Sequence, residues 1–193
     1  TVREALNNAN ANTDTTAGDC APGSAVTIDA INMPPGTYQL KPGLDNSNVG
    51  GDLDVYSGGG SVRFAGASAT STVIQGPGYV VGTDRIIHAG ADEPGPITVE
   101  VKRLTLRNGF APQGGGAIYD NGVTLVVEDS LLESCSATYG GGMSNNGNGG
   151  GVYLAAGSFA TFRRSTIADN LAHSVVIASA AGGGFYVAAG GWL

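Results

Sequence analysis

Lysine is nearly missing from this chain of 193 residues: it occurs only at Lys41 and Lys102, and the formal net charge is −7. Nucleic-acid binders normally present a clustered basic surface, so a nucleic-acid partner is not expected. Cysteine is equally sparse. Cys20 and Cys135 are too few for a disulfide scaffold and lack metal-ligand spacing. The two histidines, His88 and His173, stand isolated in the sequence, also without the spacing of a metal site. No run approaches the ~18 apolar residues of a membrane-spanning helix, which excludes membrane insertion of that kind for this segment. Charged residues make up only 13% against 41% hydrophobic, a balance that argues against disorder and for a substantial core.

What the chain has in abundance is glycine, at 33 positions, without the Gly-X-Y period of collagen. Residues 149–157 read GGGVYLAAG and residues 182–190 read GGGFYVAAG, with a looser copy, GGGAIYDNG, at 114–122. Recurrence at a period of about 20–50 residues marks a repeat architecture, in which each unit buries its apolar face only against its neighbours. The repeated phrase therefore predicts the same corner and strand in successive coils of a stacked parallel β-solenoid. Tyr119, Tyr153 and Tyr186 recur within it and are read as a packing ladder.

The rest of the chain supports that reading. Thr1 followed by Glu4 fits a capping box, and Val2, Ala5, Leu6 and Ala9 form one apolar stripe of a short helix over 1–12. The helix is too short to be stable alone and should lie against something. Residues 26–40 read as strand, Pro-Pro-Gly turn, strand. Further on, 98–111, 124–137 and 159–172 superpose at offsets of 26 and 35, with apolar columns Val99/Leu125/Ala160, Val101/Val127/Phe162 and Leu106/Leu132/Ile167. Such alternation, repeated coil after coil, is a stack of strands. The longer offset implies an insertion at 143–151, and a second follows at 173–181.

Two further columns carry charge: Lys102/Glu128/Arg163 and Arg103/Asp129/Arg164 alternate in sign along the stack. Coils about 4.8 Å apart bring opposite charges into attraction, so these columns are read as structural ladders that fix register. A basic cleft for an acidic polysaccharide would need the basic residues to cluster, and they do not.

With these motifs in place the chain resembles a known family. TVREALNNANAN, GDCAPG, PPGTYQL, GDLDV (51–55), STVIQGPGYVVGTDRIIHA (71–89) and LTLRNGFAPQGGGAIYDNG (104–122) are similar, in order, to the bacterial surface-protein module that opens with a Cys-Ser-Leu-Arg-Glu-Ala (CSLREA) motif. The resemblance implies an all-β, right-handed parallel β-helix of the pectin-lyase-like kind, here one domain over 1–193. Residues 1–24 form its capping helix and loop, and 25–193 its coils. It also implies export to a bacterial surface or secretion, and no settled activity. The family's first cysteine would fall just before Thr1, leaving the pairing of Cys20 open, and Gln75 stands where the family has aspartate.

Pectate lyases and polygalacturonases share the fold, so a carbohydrate-active enzyme or carbohydrate-binding module is the alternative to a structural stalk, adhesin-like module or fibre subunit. Fold does not decide between them. Candidate acids are Asp52, Asp54, Asp84, Asp120 and Asp129, with Arg103 or Arg107 as base, and Asp52 and Asp54 share a strand face. None forms a recognised acid cluster, and no catalytic or cofactor-binding residue is assigned. No metal is assigned; calcium in the acidic 14–19 loop, beside Asp14 and Asp19, is the weaker alternative, since two acids are too few to predict a site. After GGGFYVAAG only Gly191, Trp192 and Leu193 follow, so the last coil reads as incomplete. Phe185, Val187, Trp192 and Leu193 are the expected interface of an end-to-end homo-oligomer or filament.

Overall fold

Branched and aromatic residues alternate with polar ones in runs of two to five, bounded by glycine, asparagine and serine, and each run forms a short strand. The computed structural model describes residues 1–43, 48–78, 84–112, 114–139, 147–174 and 180–193. The expected insertions lie partly outside these, at 143–146 and 175–179, as does 79–83 of the family-like stretch. All described strand pairs are parallel, and the chain winds through about four turns of a β-solenoid.

Each face of the solenoid is one sheet. The first stacks Asp29–Met33, Val62–Gly66, Thr98–Lys102, Thr124–Glu128 and Phe159–Arg163. The second stacks Gly36–Gln39, Thr72–Gln75, Thr105–Arg107, Leu131–Glu133 and Thr166–Ala168. A third, shorter sheet holds Phe110–Ala111, Ser136–Tyr139 and Leu171–Ser174. The fourth stacks Leu53–Val55, Ile87–Ala89, Ile118–Asp120, Val152–Leu154 and Phe185–Val187. The apolar columns read from the sequence are the observed register: Val99, Leu125 and Ala160 are partners, as are Val101, Val127 and Phe162, and Leu106, Leu132 and Ile167. Inside lie Phe64, Ile74, Ile86, Leu104, Leu106, Leu125 and Leu132, all fully buried. Each contributes about 1.5–3 kcal/mol by leaving water.

Two of the corners, those that follow the first and second sheets, are made without glycine in the later rungs. Arg103, Asp129 and Arg164 occupy the left-handed region at φ 53°, 51° and 48°, and five residues on Asn108, Ser134 and Asp169 do so at 57°, 52° and 53°. This conformation costs about 1–2 kcal/mol for a residue with a Cβ. The ladder continues through the bend and offsets it: Arg103 N–H donates to Glu128 O and Asp129 N–H to Arg163 O, each at 3.0 Å. Glycine is required at Gly115, Gly149 and Gly182, with φ of 66°, 64° and 70°. There a Cβ would approach the carbonyl oxygens of Ile118, Val152 and Phe185 to 2.3, 2.3 and 1.8 Å. The triple glycines are thus the mechanical entrance to the fourth sheet.

The N-terminal helix, Val2–Ala11, has the expected capping box and buries Leu6 and Ala9. Its polar side chains finish the first rung. Arg3 donates to the carbonyls of Gly50, Gly51 and Asp52. Asn10 donates from Nδ2 to Asp54 O at 2.7 Å and accepts Tyr56 N–H on Oδ1 at 2.9 Å, taking the place of a further strand. Buried Asn8 gathers the following loop by accepting from Thr15 and donating to the carbonyls of Cys20 and Ala21. Both cysteines are free, and Cys135 is buried.

Candidate functional site

In the fourth sheet, Asp54, His88, Tyr119, Tyr153 and Tyr186 are register partners in one column. The three tyrosines stack, Tyr119 on Tyr153 and Tyr153 on Tyr186, with ring centroids 4.8 and 5.2 Å apart. His88 meets the edge of this stack, 5.2 Å from Tyr119 at 85°. Below it the column ends in a carboxylate, with His88 Nδ1 lying 3.5 Å from Asp54 Oδ1.

Alternation brings Asp52 to the same side as Asp54, but this face is not solvated: both residues are 0% exposed. Asp84 and Arg85, which lead into Ile87–Ala89, complete the cluster. Arg85 Nε lies 3.3 Å from Asp84 Oδ1 and 3.6 Å from Asp52 Oδ2, while its guanidinium carbon sits 4.9 Å above the Tyr119 ring. The backbone of Asp54 is well held, since its N–H donates to Asn48 Oδ1 and its carbonyl accepts from Asn48 and Asn10. Its carboxylate is not. Both oxygens of Asp52 and of Asp54, together with Arg85 Nε and His88 Nδ1, are buried with no hydrogen-bond partner.

The electrostatics follow from that geometry. Burial, reinforced by the neighbouring Asp84 and opposed by Arg85, pushes the Asp52 carboxyl far above the carboxylate range. Burial likewise raises Asp84, against the pull of Arg85, and lowers His88, against the pull of Asp54. The cluster therefore holds anions that want either protons or a cation.

The remaining candidate acids are elsewhere. Asp120 is a separate buried acid, raised to about 6 by burial, whose Oδ1 accepts Val123 N–H at 2.9 Å. Asp129 is at a corner of the stack, held by Arg164 at 2.6 Å. The two candidate bases make their hydrogen bonds elsewhere. Arg103 Nε donates to Gly66 O, and Arg107 Nε to Gln75 Oε1 at 2.8 Å. Asp14 accepts from the N–H and hydroxyl of Thr16.

The charged columns join into one diagonal network: Arg63–Glu100–Lys102–Glu128–Arg164–Asp129. Arg163 is Glu128's register partner, yet it is Arg164 that reaches Glu128. Of the end residues, Val187, Trp192 and Leu193 are exposed, whereas Phe185 is half-buried with its ring edge-on to Phe162 at 4.7 Å. Trp192 also bridges Phe159, extending the first sheet by one position.

Sequence reading places Asp52 and Asp54 on one strand face but names Asp84 apart from them, treats His88 as isolated and assigns no part to Arg85. The signal that joins Asp54 to His88 is the tyrosine column itself, followed two rungs further down. Fold and geometry together define a parallel β-solenoid with a buried acid–imidazole cluster near its helix-capped end. No family model, curated protein or solved structure matches the chain.

Proposed function

We propose that the chain is a non-catalytic structural module of an exported bacterial protein, a β-solenoid rod of the stalk or adhesin-like kind. The position of the acids carries this reading. Glycoside hydrolysis and lyase chemistry need an acid and a base that reach the sugar from solvent. Asp52, Asp54 and Asp120 are inaccessible and Asp84 nearly so, while the half-exposed Asp129 is engaged by Arg164. The similarity to the surface-protein module supports location outside the cell, where a polysaccharide would meet the outer faces of the rod without turnover. Incubation with polygalacturonate and other acidic polysaccharides should yield neither new reducing ends nor unsaturated uronates. Turnover that disappears in Asp54→Asn would establish the enzyme reading instead.

Assembly enters the same reading through a set of exposed apolar side chains, Phe159, Leu171, Val187, Trp192 and Leu193. Covering them by a second copy, stacked end to end, would give the homo-oligomer or filament expected from the sequence. Light scattering and imaging should show particles joined end to end that Val187→Lys disperses; a dispersed monomer, or assembly indifferent to that substitution, would exclude this arrangement.

A further inference from the structure

The corner around Asp54 holds a charge imbalance that the protein's own groups do not close. Asp52, Asp54 and Asp84 supply three carboxylates, and among the described residues Arg85 is the single permanent cation in ion-pair contact with them. With all three ionised, two negative charges are left over, in a place where neither carboxylate of the wholly buried Asp52–Asp54 pair accepts a hydrogen bond. Unpaired buried charge is among the costliest features a fold can carry. One divalent cation closes the balance.

We propose that Asp52, Asp54 and His88 form a site for one divalent transition-metal ion of the zinc class, bridging the first two rungs of the fourth sheet. One ligand atom from each residue lies within 4.8 Å of the other two. The Asp54 Oδ1–His88 Nδ1 separation is 3.5 Å, and the pair makes no hydrogen bond. A tetrahedral ion with bonds of about 2.0–2.2 Å sets its ligand atoms roughly 3.4 Å apart.

The donor set distinguishes between cations. Calcium and magnesium take oxygen ligands and dispense with imidazole, whereas two carboxylates and one imidazole nitrogen suit zinc and its neighbours. Arg85, against the Oδ2 of Asp52, and Asp84 beyond it supply the outer partners that orient a ligating carboxylate. The ion fastens Leu53–Val55 to Ile87–Ala89 at the rung that the N-terminal helix also caps through Asn10, so its role is to lock that end of the rod.

The test uses the whole chain, stripped with a chelator and titrated with Zn2+ or Ca2+ while binding is read by calorimetry and by thermal unfolding. The expected result is one Zn2+ bound per chain, with a melting temperature that climbs as free Zn2+ rises, and no comparable response to Ca2+. His88→Gln and Asp54→Asn should each weaken Zn2+ binding by at least ~100-fold, because removing even outer-shell partners costs about 10–100-fold. His173→Gln should leave it unchanged. Co2+ bound to the unmutated chain should show d–d absorption bands of a nitrogen–oxygen site, a readout that does not depend on how well the variants fold. No saturable Zn2+ binding to the unmutated chain, binding that survives both substitutions, or a response to Ca2+ alone would overturn the proposal.

Discussion

Tyr119 and Tyr153 lie ring over ring, their centroids 4.8 Å apart and their planes within 3° of parallel. That separation is the spacing between neighbouring strands of a sheet, so the backbone register sets the stack and the stack in turn reports the register. Only an in-register column brings two aromatic rings on successive rungs into this contact.

Truncating the middle ring should therefore be expensive. Tyr153 is 8% exposed and stacked on both sides, and Tyr153→Ala should destabilise the fold by about 2–4 kcal/mol in urea unfolding. A double-mutant cycle between Tyr119 and Tyr153 should return a coupling of about 0.5–1.5 kcal/mol. Strict additivity would mean that the rings contribute burial and nothing specific to each other.

The exposed charge network makes a different kind of prediction. Glu128 stands between Lys102 at 3.4 Å and Arg164 at 2.5 Å. Glu128→Lys replaces two attractions with two repulsions and should lower the melting temperature more in dilute buffer than in molar salt, since exposed charges are screened. A salt-independent change would point to a packing defect instead.

Asp120 predicts a pH dependence of opposite sign to ordinary acid denaturation. Its carboxyl is raised to about 6 in the folded chain, chiefly by burial and despite the Val123 N–H, so the folded state holds the proton more tightly than the unfolded one. The associated stability is fully present below the ordinary carboxylate range and is lost as pH rises through about 6. A shift of this size corresponds to about 3 kcal/mol. Asp120→Asn cannot ionise. It should gain on the parent chain by up to that amount between about pH 4 and pH 7. Parallel stability profiles for the two proteins would remove Asp120 as the cause.

Cys135 occupies a position that another rung fills with asparagine. Asn170 accepts Cys135 N–H at 2.9 Å and donates to Leu132 O at 3.0 Å. One rung earlier, the Cys135 thiol faces the equivalent Gly109 N–H and Leu106 O at 3.4 and 4.0 Å, poor substitutes for amide hydrogen bonds. Cys135→Asn should restore both and raise stability by about 1 kcal/mol. In the unmutated chain the thiol, pushed up to about 12 mainly by burial, should resist alkylation until the protein unfolds. Rapid labelling of the native chain would show that this corner opens.

The amino-acid sequence by itself determined the parallel stack, the capping helix and the register of the later rungs. Each of these depends on periodic patterns that local chemistry enforces: a capping box followed by an apolar stripe, and alternating residues repeated at 26 and 35 positions. It could not determine the acidic cluster. Rung length varies from 26 residues, Val99 to Leu125, to 37, Val62 to Val99, so no single period carries Asp54 onto His88. Alternation also says only that Asp52 and Asp54 share a face, on the side of the strand opposite the core-facing Leu53. Burial of that face, and the meeting of Asp52 with Arg85, come from how segments remote in sequence converge beside the helix-capped rung. Side-chain reach decided the charged network in the same way: Arg163 has the register, but Arg164, one residue further round the corner, has the direction that reaches Glu128.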